Sequence, residues 1–399
     1  MTADGAQRGC AAPVALARCD CYAPERVRAA LQSALLPLGG LDWVTPGMRV
    51  ALKTNLLTGA KPERAVTTHP AVLAALTELL VSRGAQVVVG DSPGGPFTPA
   101  LLARAYAASG LPLCEAAGAR LNRDVSVAQA RFDAAVRLRA FRYTAYLDGA
   151  DAIINVCKLK THGMMGMTAA VKNFFGAVPG TVKPEYHFRF PEHEAFADML
   201  VDLNEFFRPR VRLCVADAVV AMEGNGPAHG TPRPLGCLLA SASPYALDLA
   251  CASLIGLTAD DVPTLRAAAR RGLAPADADA LTVLGDGPLA AFAAPDFAAV
   301  RGRADLRFGD GLPGPLGAAL RAAAQRALAS APACRADACT GCGRCAAVCP
   351  AHAIRMRRGR PAIDRRACIR CFCCQEFCPA GAMGVRRPLP ARLLAPGRQ

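Results

Sequence analysis

Eight cysteines near the C-terminus form the densest chemical pattern in the chain. Cys339, Cys342, Cys345 and Cys349 follow C-x2-C-x2-C-x3-C with Pro350 behind, and Cys368, Cys371, Cys374 and Cys378 repeat the spacing with Pro379 behind. Thiolates are soft ligands for iron–sulfur clusters or zinc, and each run has the bacterial spacing for a [4Fe–4S] cluster. A pair of zinc knuckles is the competing reading, because C-x2-C also suits zinc. Four thiolates per run, the trailing proline and duplication within about forty residues argue for iron. Cys334 and Cys373 fall outside the repeated register and are read as non-ligands.

Residues 334–385 resemble a bacterial two-cluster ferredoxin, a small α+β module. The resemblance implies two [4Fe–4S] clusters, in which the three close thiolates of a run hold three irons of one cube. The fourth iron takes its ligand from the other run. It thus gives cluster I as Cys339, Cys342, Cys345 and Cys378, and cluster II as Cys349, Cys368, Cys371 and Cys374.

A second polar constellation lies near mid-chain. Asn155, Lys158, Lys160, Thr161 and His162 follow the apolar AIINV segment, and Lys172-Asn173 follows a few residues later. Ligands of open α/β sheets bind beyond the carboxyl ends of strands. There Lys158, Lys160, His162 and Lys172 can hold an anion, with Thr161 and the amides of the next helix assisting. Lysine usage sharpens this reading. Of 46 basic residues only Lys53, Lys61, Lys158, Lys160, Lys172 and Lys183 are lysine. In an Arg-biased chain, a surviving lysine points to a need for its compact, titratable ammonium.

The elements that must position these groups alternate between strand and helix. Strand signals cover residues 13–21, 48–56, 86–90, 152–156, 211–216, 236–240 and 281–284; helix signals cover 24–38, 69–83, 98–109, 193–207, 245–255 and 262–271. This order predicts an α/β fold with a mainly parallel sheet layered with helices. The expected organisation is an α/β domain over 10–290 and a linker over 291–333 with an Ala-rich helix near 315–330. The ferredoxin module (334–385) and a loose tail (386–399) complete it.

The stretch NVCKLKTHGMMGMTAAVKNFFGAVPG resembles the signature of domain-of-unknown-function family 362, described as uncharacterised Fe–S-centre proteins. VALKTNL (50–56), GDSPGG (90–95) and ADAVVAMEGNGPAHG (216–230) resemble other blocks of that family. The resemblance spans about residues 10–290. It implies an α/β domain, often followed by a two-cluster ferredoxin module, but no established substrate or catalytic residue. Each block alone can be a turn, since Pro and Gly punctuate turns everywhere. Parallel strand ends share one edge, so Lys53, Asp91, Lys158 and Asp217 are expected to converge on one pocket. The candidate substrate-binding residues are Lys53, Asn55, Asp91, Ser92, Lys158, Lys160, His162, Lys172, Asn173, Asp217 and Glu223.

Other features point away from further chemistry. His187 and His193, with Glu192 and Glu194, read as a solvated polar loop rather than a metal site. Cys157 reads as a packing residue. No G-x-G-x-x-G follows a strand, so neither NAD nor FAD is expected.

The chain is 52% hydrophobic but has no run of eighteen apolar residues and no leader-like N-terminus, so a cytoplasmic protein without a membrane span is expected. Its net charge of +14 is concentrated at the C-terminus, where residues 334–399 hold thirteen Arg against Asp337, Asp364 and Glu376. That surface implies an acidic redox partner or an anionic substrate. With no aromatic interleaving and no helix-turn-helix signature, nucleic acid is not expected. The function these features imply is iron–sulfur electron transfer, with the α/β domain binding a partner or small anionic substrate. Whether that domain is itself an oxidoreductase stays open. The alternative is a non-redox assembly factor, or a factor that handles a cofactor or metal, with structural Fe–S clusters.

Overall fold

The computed structural model describes residues 12–300 and 330–386. The Ala-rich helix expected near 315–330 and the tail beyond 386 lie outside those residues.

The sheet nucleates on short apolar segments buried on both faces, as expected of strands covered by helices. The first strands are β1 (Val14–Arg18), β2 (Arg49–Lys53), β3 (Gln86–Gly90) and β4 (Arg120–Leu121). A small antiparallel hairpin, β5 (Val127–Arg131) with β6 (Ala140–Thr144), stands apart from the main sheet. The remaining strands of the large sheet are β7 (Ala152–His162), β8 (Gly166–Thr168), β9 (Val211–Glu223), β10 (Thr231–Ser241) and β11 (Val283–Gly285). The order is β11-β1-β10-β9-β7-β2-β3-β4, with β8 folding back on β7. The pairs β2–β3, β2–β7, β3–β4, β7–β9 and β1–β11 are parallel, whereas β10 is antiparallel to both β9 and β1. The sheet is thus mixed and mostly parallel, with helices layered on it.

Most long helices start with proline at the first turn, where the missing N–H costs nothing: α1 (Pro24–Leu35), α2 (Pro70–Val81), α3 (Pro99–Ala108), α8 (Pro244–Leu254) and α9 (Pro263–Arg270). Thr98 and Ser243 cap two of them by accepting from Leu101 N–H and Ala246 N–H. The short α4 (Pro112–Ala116) follows α3, and between β8 and β9 run α5 (Ala170–Asn173), α6 (Lys183–Arg189) and α7 (His193–Phe207).

Two strands differ from expectation in a way that matters for the site. β7 continues through Lys158, Lys160 and His162 instead of ending near Val156, and β9 runs on to Glu223. Polar residues hid these extensions, because buried strands are read from apolar runs. β7 tolerates its lysines because acids and carbonyls of neighbouring elements meet each ammonium.

The C-terminal module is built twice over. Two antiparallel pairs, Ala331–Cys334 with Met383–Arg386 and Ile354–Arg357 with Arg360–Ile363, accompany two one-turn helices at Arg344–Ala347 and Cys373–Glu376. Its repeat extends to backbone angles. Gly341 and Arg370, at matching positions, have φ of 71° and 56°, and Gly343 and Phe372 have φ of 73° and 60°. The loop needs left-handed residues at both places, and the second run supplies them without glycine.

Candidate functional site

The cysteines gather in two groups that cross the runs. Cys339, Cys342 and Cys345 line one small cavity with Cys378, which comes from the other run. Burial pushes the Cys368 and Cys374 thiols up, and Cys371 and Cys349 push each further; Cys374 also feels Cys368 and, from the first run, Cys345. Ala353 N–H donates to Cys349 Sγ at 3.3 Å and Ala382 N–H to Cys378 Sγ at 3.2 Å. Such donors stabilise thiolate ligands. Soft sulfur donors in this repeated spacing, with amides aimed at two of them, fit iron–sulfur ligation. No described cysteine is in a disulfide.

The second run sits against the α/β domain. Phe372, 1% exposed, packs into the core between sheet and helices, where Gly163 leaves room for its ring. Gln375 Nε2 donates to Gly226 O at 3.1 Å and also to Asn225 Oδ1, while Asn225 Nδ2 donates to Met383 O at 3.2 Å. His162 Nε2 lies 2.9 Å from Glu376 Oε1. Met164 N–H and Met165 N–H both donate to His162 Nδ1, which leaves the ring proton on Nε2, facing Glu376.

A cavity of ≈ 60 Å³ lies between the two parts. One water takes about 10–15 Å³ on this scale, so a small molecule fits. The α/β domain contributes Lys160, Lys172, Lys183, His162 and His187, among others, and the module contributes Cys373, Glu376 and Phe377. Gly94 lies under the Phe377 ring, where a Cβ would come within 2.6 Å of it.

The lysines differ in what they touch. Lys160 Nζ donates to Asn55 Oδ1 at 2.7 Å and to Val66 O. Lys183 Nζ donates to Ser92 O. Lys172 has no hydrogen bond or ion pair among the described residues, and its ammonium stands 4.8 Å from the Phe175 ring centre. Burial lowers Lys160 and Lys183 to about 7, and it lowers Lys172 as well, against the pull of the Glu376 carboxylate. Burial also holds His187 neutral, at about 3.

Of the residues proposed from sequence, Asn55, Asp91, Ser92, Lys160, His162, Lys172 and Asn173 line this cavity. Lys53 lies at its floor, 2.7 Å from Asp91, with Gly176 packed so closely that a Cβ would meet Asp91 Oδ1. Asn173 ties the floor together: it donates to Asn155 Oδ1 at 2.7 Å and accepts from Asn55 Nδ2 at 3.1 Å. Lys158 and Asp217 do not line the cavity. They form a separate buried pair at 2.9 Å, closed by the Tyr22 hydroxyl, which donates to Asp217 Oδ1, and by His69 N–H. Glu223 lies further along β9 and accepts from Ala298 N–H at 3.0 Å. The strand-end acids and lysines therefore meet as two neutralising pairs rather than as one ligand cradle.

Two further expectations change. Thr161 is occupied by Gly224 O and Gly226 N–H, and the first amides of α5 donate to the Asp248 carboxylate, so neither faces a ligand. His187 is buried and stacked on Phe196 at 4.4 Å, not in a solvated loop. Cys157 is fully buried in apolar packing. Lys183 and the module's Glu376 and Phe377 line the cavity without a place among the candidate residues, and so do His187, expected in a loop, and Cys373, read as a non-ligand. Lys183 alone carried a signal, as one of six lysines.

Comparison with known proteins follows this division. Residues 50–253 match a family described as a domain of unknown function, DUF362, and residues 332–379 match a 4Fe-4S dicluster domain. A thylakoid-associated protein of Synechocystis sp. is 37% identical over 278 residues, covering 67% of this chain and 81% of that one. The chain belongs to the DUF362 family, and its C-terminal dicluster domain marks it as an iron–sulfur protein. Among solved structures, a Thermotoga maritima protein matches with a TM-score of 0.34 and 13% identity. The lactate racemase apoprotein of Thermoanaerobacterium thermosaccharolyticum matches with 0.33 and 11%. Each match covers 54% of this chain and about half of the other, at 55% and 52%. Among the described residues no helix is long and apolar enough to cross a membrane.

Proposed function

We propose that the protein is a two-cluster iron–sulfur electron-transfer protein that exchanges electrons with a small anion held between its two parts. The observation that carries the reading is that Cys373, flanked by Cys371 and Cys374, forms part of the same cavity wall as Lys160, Lys172 and Lys183. A [4Fe–4S] cluster supplies one-electron transfer when bound. On this reading Cys339, Cys342, Cys345 and Cys378 hold cluster I, and Cys349, Cys368, Cys371 and Cys374 hold cluster II.

The chain's own residues do the rest. Lys160, Lys172 and Lys183 attract and orient the anion, and Phe175 and Phe377 exclude water from it. His162 keeps a proton on Nε2 in the cavity wall. Cys342 is exposed, as are Arg344 within the first run and Arg355 and Arg358 shortly after it; this exposed positive charge supports docking of an acidic redox partner. The unpaired thiols of Cys19, Cys114 and Cys251 support a reducing cytoplasm.

The test is anaerobic reconstitution followed by redox titration. The reading requires about eight iron and eight sulfide per chain and reversible one-electron reduction. Zinc in anaerobically purified protein, or clusters that cannot be reduced reversibly, would overturn it in favour of a structural role.

A further inference from the structure

Inside the cavity the charges do not cancel. Lys53 is matched by Asp91, and Glu376 is met by His162, whose proton sits on one nitrogen only. The ammoniums of Lys160, Lys172 and Lys183 have no carboxylate of their own among the described residues. Lys160 and Lys183 spend donors on neutral oxygens and Lys172 on none. A buried cation without a counter-charge is costly, and here three line one cavity whose two carboxylates are Asp91, already paired with Lys53, and Glu376. Carboxylate and phosphate-like oxygens would accept from the remaining N–H groups, while Phe175, Phe377 and Leu57 offer only an apolar wall to a ligand's body.

Cys373 forms part of the same cavity wall, in the turn that also carries Cys371 and Cys374. Any negative charge added on that turn's sulfur ligands is felt by an anion in the cavity, in a medium that screens poorly.

We propose that this cavity is a binding site for a small dianion, and that its occupancy opposes one-electron reduction of the cluster that the cysteines of the second run would hold. The proposal rests on the electron-transfer reading for its second half only. Binding to the oxidised protein follows from the lysines alone. Linkage makes the effect reciprocal: the factor by which reduction weakens the anion is the factor by which the anion disfavours reduction.

The test uses the full, iron-loaded, oxidised chain with two probes, inorganic sulfate and succinate, and chloride as a monovalent control. Calorimetric titration should give saturable binding of at least one dianion at one site per chain, outcompeting chloride. Lys172→Met should weaken it at least tenfold with iron content unchanged. Lys172→Arg should also weaken it, because a planar fork replaces a compact ammonium. Lys61→Met, at the one exposed lysine, should leave it unchanged. In a redox titration, saturating dianion should lower one of the midpoint potentials. A tenfold coupling corresponds to 59 mV for one electron, and the same tenfold loss should be read as weaker binding after dithionite reduction. No saturable dianion binding, or equal binding by wild type and Lys172→Met, would overturn the site. Binding without any change in potential would overturn the linkage. If the clusters do not reduce at all, the electron-transfer reading fails while the calorimetric arm still decides the site.

Discussion

The two cysteine runs share spacing and backbone conformation, yet they face different worlds. The first carries Thr340, Gly341, Gly343 and Arg344 between its first three cysteines; the second carries Ile369, Arg370, Phe372 and Cys373 at the matching places. Gly343 looks onto open space, whereas Phe372 at the matching place is sunk in the α/β core. A residue with φ of 60° and a large side chain is strained, so burial of the ring must outweigh that strain. The difference shows how a symmetric module is turned into a directional one. One loop stays solvent-facing and basic, and its twin becomes the wall of a cavity.

The largest way to break the comparison is at the ligands. Cys345→Ser and Cys374→Ser should each reduce iron from about eight to about four atoms per chain, or convert the affected cluster. Cys373→Ser should retain about eight, because Cys374 holds the C-x2-C register with Cys371. Iron and sulfide analysis of anaerobically prepared variants is the measurement. Loss of iron in Cys373→Ser with retention in Cys374→Ser would reverse the register assigned to the second run.

Docking comes next. Phe372→Ala removes a fully buried ring and should cost about 3–5 kcal/mol, less a little for relaxed packing around the strained backbone. The loss should fall on attachment of the module: amide hydrogen exchange at Gln375 and at Met164 and Met165, on the two sides of the contact, should be faster in the variant than in wild type. Unchanged stability and equal exchange at these amides would mean that the ring does not anchor the module.

The same contrast explains what was legible in the sequence. Cysteine spacing is local, so both runs could be read residue by residue. The alternating strands and helices were legible because apolar runs and N1 prolines are local too. The reach of β7 was not, since Lys158, Lys160 and His162 look like the end of a buried strand. They continue it only because Asp217, Asn55, Val66 O and Glu376 meet them from distant parts of the chain. Pairing of Lys53 with Asp91 and of Lys158 with Asp217 is likewise non-local: strand order placed these residues at one edge, but only side-chain geometry shows who neutralises whom. Glu376 and Phe377 sit in a motif whose spacing explains its cysteines and says nothing of the residues between them.

Acidity offers a sharper and smaller test. Lys160 and Lys183 are lowered to about 7 by burial, so they carry charge below that pH and lose it above. Sulfate stays a dianion throughout, so its affinity for the oxidised chain should fall as pH rises from about 6 to about 8, by roughly tenfold for each lysine that loses its proton in a binding role. Stability should move the other way. From about pH 7 toward the ordinary lysine value the unfolded chain binds more protons than the folded one, and stability therefore rises with pH in that window. Calorimetry and denaturant unfolding across the same buffers give both slopes. Parallel slopes, or flat sulfate affinity, would remove these two lysines from the binding role.

The smallest effect belongs to the exposed loop. Gly343 has φ of 73° and nothing within 4 Å of where a Cβ would stand. Gly343→Ala therefore meets backbone strain alone, about 1–2 kcal/mol for a left-handed L-residue, with no clash to relieve. Gly341→Ala, at φ of 71°, adds a contact of 2.8 Å with Gly359 O and should cost more. Both variants should keep their iron and the sulfate affinity of the wild type, because neither loop position reaches the cavity. Thermal unfolding of the iron-loaded chains ranks them, with Gly343→Ala the mildest, Gly341→Ala next and Phe372→Ala the most severe. A Gly343→Ala variant as unstable as Phe372→Ala would mean that the first loop is packed like the second. The asymmetry between a solvent-facing run and a docked one would then fail.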